Sequence, residues 1–248
     1  MLFSLIKRFA CGLLLLCWVS IAIADELRVA VASNFILPMQ ELGVAYEQRS
    51  GNSLLLSPGS SGKHYAQIRN GAPFDVFFSA DIDKPQLLEE EGLAVPGSRF
   101  TYAIGRLVLL ANKPLDPALG LQNLADSSGR IAIASPQLAP YGAAARQALE
   151  AAGLWQAVQL RLVTGENVAQ ALQFVVSGNA MFGLVAKSYL VLLESESVSF
   201  IEVAPELYAP VIQQAVVLRE STVAGDFLAF LQGAEGSAII SRFGYDLP

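Results

Sequence analysis

The chain has 248 residues, of which 53% are apolar and only 15% charged, and its formal net charge is -6. That composition supports one or two compact units and excludes a disordered tail or a disulfide mini-protein. The acidic balance also argues against a nucleic-acid partner, because a phosphate backbone calls for a clustered basic surface.

The first 24 residues read as an export signal: Lys7 and Arg8, an apolar run over residues 9–23, and Ala22-Ile23-Ala24 ahead of Asp25. Cleavage is expected after Ala24. The run is shorter than the ~20 residues of a spanning helix, and no comparable run follows, so the chain is expected to be exported in soluble form and not to cross a membrane. A lipid anchor is disfavoured, since neither Cys11 nor Cys17 stands in a lipid-attachment box. Loss of 24 from 248 residues leaves 224 without a thiol, which removes disulfides, thiol catalysis and cysteine-ligated metals together. Lys7 and Arg8 go as well, so 14 basic residues face 22 acidic ones and the mature charge becomes -8.

In chain order, residues 27–33 form an apolar, β-rich run, and 36–50 show helical spacing closed by Gly51-Asn52. A strand is expected over 53–57, a Pro58-Gly59-Ser60-Ser61-Gly62 loop, a short helix from about Lys63 to Arg69, and a strand over 74–79. Asp83 caps a helix over 84–91 that Gly92 stops, and 102–111 is one long β-type run, long enough to cross between lobes. After a Pro-rich link at 113–117 the alternation resumes: strand 131–134, helix 142–152, strand 159–163, helix 166–177, strand 180–185. A return strand at 211–218 and helices over 221–232 and 234–242 complete the pattern. Two βαβαβ series of near-continuous apolar strands predict an α/β chain of two lobes. Each lobe is a mostly parallel sheet flanked by helices, with a ligand cleft between them. The expected division is 1–24 signal, 25–104 plus 211–248 as lobe I, and 105–210 as lobe II.

Catalytic patterns fail one by one. The single histidine, His64, excludes a multi-imidazole metal site, and no serine lies in a Gly-x-Ser-x-Gly elbow. Glu89, Glu90 and Glu91 read as a solvated helix face. Gly59 to His64 looks like a phosphate loop, but Ser57 stands where the first glycine belongs and His64 where a hydroxyl belongs. No Gly-x-Gly pair exists for a dinucleotide. The residual enzymatic reading is an exported serine hydrolase built on Ser61 and His64.

Four places place small or polar residues where a strand ends and a helix starts: Ser33-Asn34, Gly59 to Gly62, Pro140-Tyr141-Gly142, and Gly165 to Val168. In open α/β sheets the carboxyl ends of strands face the ligand crevice, and each following helix presents unpaired N–H groups and its positive dipole end. That is anion-binding chemistry, although any one such junction alone is better explained as a cap or turn. Two junctions per lobe can converge on one oxyanion. Hydrogen bonds to a charged group contribute ~1.5–3 kcal/mol each, so about six gross roughly 9–18 kcal/mol, against the ~8 kcal/mol net of micromolar binding. Neutral donors therefore suffice, and the repulsion of a -8 chain is screened beyond ~8 Å.

Along these junctions the sequence resembles the periplasmic molybdate-binding proteins of bacterial ABC importers, a two-lobed (type II) binding-protein family. The resemblance rests on Val29 to Phe35, Gly59-Ser60-Ser61-Gly62-Lys63, Gly71 to Val76, Leu138-Ala139-Pro140-Tyr141-Gly142, Gly165-Glu166-Asn167-Val168 and Gly183-Leu184-Val185-Ala186. It implies a periplasmic, monomeric, non-enzymatic receptor with no cofactor, capturing molybdate or tungstate for a permease and its ATPase. Ser33 and Ser61 are implied as hydroxyl donors, with N–H groups from Ser61, Tyr141 and Val168 and no side chain bonded to the metal. Many relatives place a tyrosine hydroxyl where this chain has Ala186, and Asn34 resembles a variant in which a first-lobe Asn contributes instead. A sulfate receptor is the alternative within the same architecture. Molybdate and tungstate are expected to bind alike, with sulfate weaker for its size and hydrogen phosphate weaker because a donor-lined cavity leaves its proton unpaired.

Overall fold

The computed structural model describes residues 25–125, 127–193 and 198–248. The export signal expected over 1–24 lies outside the described residues. β1 (Glu26–Ala32) runs through a 3-10 turn, Ser33–Phe35, into α1 (Ile36–Ser50). α1 buries Pro38, Met39, Leu42 and Tyr46, and it ends where Gly51 takes φ +78°, a left-handed conformation that glycine adopts without strain. β2 (Ser53–Gly59), α2 (Ser61–Arg69), β3 (Val76–Ser79), α3 (Asp83–Glu90) and β4 (Phe100–Gly105) follow.

β5 (Leu107–Ala111) opens the second half, and after a 3-10 segment, Pro117–Leu124, come β6 (Ile131–Ala134), α4 (Pro140–Ala151), the short α5 (Trp155–Val158) and β7 (Leu162–Gly165). α6 (Val168–Val176), β8 (Phe182–Ala186), a 3-10 turn at Lys187–Leu192 and β9 (Ser199–Glu202) complete that half. β10 (Val211–Val217), α7 (Thr222–Gln232) and α8 (Ala234–Arg242) return to the first.

Among the described residues two five-stranded sheets result, ordered β2-β1-β3-β10-β4 and β7-β6-β8-β5-β9. In each, one strand runs against the rest: β10 is antiparallel to β3 and β4, and β5 is antiparallel to β8 and β9. The mostly parallel α/β expectation holds, and both exceptions are the strands by which the chain enters a sheet from the other half. The expected single strand over 102–111 is two strands in two sheets, broken at Arg106. The apolar run continues through the break because both sheets bury their strands; Leu107 to Ala111 are all fully buried.

Other boundaries move for local reasons. Pro58 and Gly59 belong to β2, paired with Val31 and Ala32, and α2 starts at Ser61 because Ser60 accepts a bond from Lys63 N as its cap. Residues 159–161 form a 3-10 turn, so the strand expected over 159–163 begins instead at Leu162. The terminal helices pack on α1: Phe227, Leu231, Ile239 and Ile240 share one core with Leu42 and Tyr46. Among the described residues no helix is long and apolar enough to cross a membrane.

Candidate functional site

Parallel register brings the junctions together in pairs. Ala32 stands opposite Gly59 and Ala134 opposite Gly165, so Ser33 leaves its sheet beside Ser60-Ser61, and Ser135 leaves beside Glu166-Asn167. The halves then meet across these ends. Gly62 N donates to Leu138 O at 2.9 Å, Tyr189 Oη donates to Ser33 O at 2.7 Å, Ser188 Oγ donates to Asn34 O at 2.8 Å, and α6 packs on the Ser33–Phe35 turn. Ser33, Asn34, Ser61, Tyr141 and Val168 are all buried where the two halves face each other.

Local capping decides which donors remain. At α2, Ser60 Oγ takes Lys63 N and Leu138 O takes Gly62 N, which leaves Ser61 N. At α4, Pro140 has no N–H and Ala139 O accepts from Gly142 and Ala143, which leaves Tyr141 N. At α6, Asn167 Oδ1 takes Gln170 N at 3.1 Å and Asn167 O takes Ala171 N, which leaves Val168 N and Ala169 N in the first turn. Ser61 Oγ accepts from Ala80 N at 2.9 Å, so its proton points away from that strand end and is free to donate. Among the described residues no protein group engages the Ser33 hydroxyl.

The Asn34 side chain is engaged within its own half. Nδ2 donates to Gln213 Oε1 at 2.8 Å and to Tyr245 Oη at 3.0 Å, so both amide hydrogens are used inside the first half. Its backbone N–H, at the start of the 3-10 turn, is the donor left for the cleft. Tyr102 Oη also donates to Gln213 Oε1, and Tyr245 Oη donates to Asn34 O at 2.7 Å. Burial pushes the Tyr245 hydroxyl up to about 12 and Tyr189 higher still, so both stay protonated as donors. Local sequence carries no signal for this support, since the partners lie 111 to 211 residues apart.

Cationic side chains contribute little at this point. Lys63 pairs across the mouth with Glu166 at 2.9 Å, with both side chains about half exposed, and such a pair contributes at most about 1 kcal/mol. A separate cavity of about 290 Å³ runs alongside, lined by Ala80, Asp81, Leu138, Pro140 and Val211 among others; none of the five candidate residues lines it. Among the described residues no group of three His, Cys, Asp or Glu side chains is placed to hold a metal ion.

The hydrolase pairing does not form. His64 Nδ1 lies 3.1 Å from Gln67 Oε1, its ring packs edge-on against Phe74 and Phe77, and Ser61 Oγ is bonded to Ala80 N instead. Desolvation holds the imidazole below its ordinary 6.5. Ser61 and His64 therefore lack the contact a nucleophile and its base require.

Two α/β lobes, each a mostly parallel sheet flanked by helices, are the architecture of a solute-binding protein, and the chain belongs to the family described as bacterial extracellular solute-binding protein, matched over residues 27–246. It is similar to the molybdate-binding protein ModA of Rhodobacter capsulatus, 40% identical over 90% of this chain and 89% of the relative, and to that of Azotobacter vinelandii, 42% identical over 90% and 91%. The solved periplasmic molybdate-binding protein of Azotobacter vinelandii superposes with a TM-score of 0.83 at 40% identity, covering 90% of this chain and 99% of that one.

Proposed function

We propose that this chain is the periplasmic receptor that captures molybdate, and tungstate alongside it, and hands it to the permease and ATPase of an ABC importer. Residues 25–104 with 211–248 form one lobe and 105–210 the other; the protein acts as a monomer and as a carrier, without catalysis or cofactor. The observation that carries this reading is the donor set. Capping and register leave N–H groups of Asn34, Ser61, Tyr141 and Val168 and the hydroxyls of Ser33 and Ser61, from both lobes, with every carbonyl of the Ser33-Asn34 pair turned to other partners.

Such a site suits a fully deprotonated tetrahedral dianion. Molybdenum is held through its oxygens, with no bond from a protein side chain to the metal. A hydrogen phosphate would bury a proton with no acceptor, at a cost of ~1–3 kcal/mol. The 40–42% identity to molybdate-binding relatives supports the choice of cargo. Titration calorimetry of the mature chain with molybdate, tungstate, sulfate and phosphate tests it: strong and similar binding of the first two, and at least tenfold weaker binding of the others, is the expected result. Equal heats for sulfate and molybdate would move the assignment to a general oxyanion receptor, and no heat with any of the four would end it.

A further inference from the structure

The 3-10 turn after β8 carries Ser188 and Tyr189, both buried, and both reach across to the first lobe. The acceptors they choose are the carbonyls of Ser33 and Asn34. Each carbonyl has two partners. Ser33 O takes Tyr189 Oη and Ile36 N, while Asn34 O takes Ser188 Oγ and Tyr245 Oη. The peptide group that owns the Ser33 carbonyl also owns the Asn34 N–H, and the one that owns the Asn34 carbonyl owns the Phe35 N–H. A hydrogen bond accepted at one end of a peptide unit polarises and orients the donor at its other end.

We propose that Ser188 and Tyr189 are positioning residues for oxyanion capture, through which the second lobe acts on the ligand indirectly, by fixing and polarising the first-lobe peptide at Ser33-Asn34. The proposal rests on the oxyanion reading of the site. It explains how this chain does without a hydroxyl at Ala186, at the end of β8: the hydroxyls two and three residues further on strengthen donors already present instead of adding one. Because they join the two lobes, they also hold the closed form shut.

The test uses the mature chain with Tyr189→Phe, Ser188→Ala and the double substitution, titrated with sodium molybdate and followed by stopped-flow fluorescence. Tyr46→Phe is the control, since Tyr46 Oη also donates to a carbonyl, that of Val223, but within one lobe and away from the cleft. Each single change is expected to raise the Kd roughly 3- to 10-fold, the size of one net hydrogen bond, through a faster off-rate with the on-rate unchanged. The double change is expected to exceed either single one. The control should lower the ligand-free Tm and leave the off-rate alone. An off-rate unchanged in Tyr189→Phe and Ser188→Ala overturns the proposal, as does an effect matched by the control. Failure of the unsubstituted chain to bind molybdate would instead sink the functional reading on which the proposal rests, so the two failures are separable.

Discussion

Ser61 has two jobs that its hydroxyl divides between oxygen and hydrogen. The oxygen satisfies Ala80 N, buried at the end of β3, and the hydrogen is left for a ligand. Ser61→Ala is therefore expected to cost twice. Loss of a donor to a charged group weakens molybdate binding by ~1.5–3 kcal/mol, and the orphaned Ala80 N–H lowers stability by ~1–3 kcal/mol. Calorimetry and urea unfolding of the ligand-free protein measure the two separately; a change in only one would show that the hydroxyl serves a single partner. At this scale the sequence is informative about donors and silent about their supports. The four junctions that hold Ser33, Ser61, Tyr141 and Val168 are legible because capping is a matter of three or four neighbouring residues, whereas the choice of those residues within each junction comes from the resemblance. Gln213, Tyr245, Ser188 and Tyr189 are not legible, because polar residues that meet across more than a hundred positions leave no periodicity. The Asn34 side chain shows the difference: its neighbourhood suggests a donor to the ligand, and its distant partners take both hydrogens.

The first turn of α2 is an interface as well as a donor. Gly62 has its N–H on Leu138 O, and a Cβ there would stand 3.0 Å from that oxygen and 3.2 Å from Leu138 Cα. An added methyl is thus tight only against the opposite lobe. Gly62→Ala is expected to weaken molybdate binding by ~1 kcal/mol through incomplete closure, while the ligand-free Tm stays level or rises with helix propensity. A fall in the ligand-free Tm, read by differential scanning calorimetry, would place the strain within the lobe instead. Element by element, the alternation of strand and helix is readable from apolar runs, yet the break at Arg106 is not. Residues on either side are equally apolar, and only the sheet they join distinguishes them. β9, four residues with alternating exposure at a sheet edge, is too short and too polar to register as a strand.

At the scale of the whole molecule, the sequence has a single histidine, and the fold buries it. His64 is neutral when folded, held below its ordinary 6.5 mainly by desolvation, with the Gln67 hydrogen bond opposing and Lys63 adding to the shift. An unfolded chain takes up a proton around pH 6.5 that the native chain refuses, so native stability is full above that pH and declines as pH falls toward the lowered native value. The slope contributed by this group cannot exceed ~1.4 kcal/mol per pH unit. Urea unfolding between pH 7.5 and 5 measures it, and His64→Phe, which keeps the aromatic packing against Phe74 and Phe77, should flatten that limb. An identical slope in the variant would assign the loss to carboxylates.

The position of β10 sets the order in which this protein can be made. It lies between β3 and β4, in the interior of the first sheet, yet it is the last strand to be synthesised. Until residue 217 has emerged, Phe77, Phe78 and Ala103 lack the neighbours Val216, Ala215 and Gln213 that cover them. The amino-terminal half must therefore wait, open and unfinished, while the contiguous stretch from β5 to β9 has all its own strands at hand. Such a delay keeps the leading portion of the chain extended and its apolar strands uncovered for as long as the ribosome is still at work.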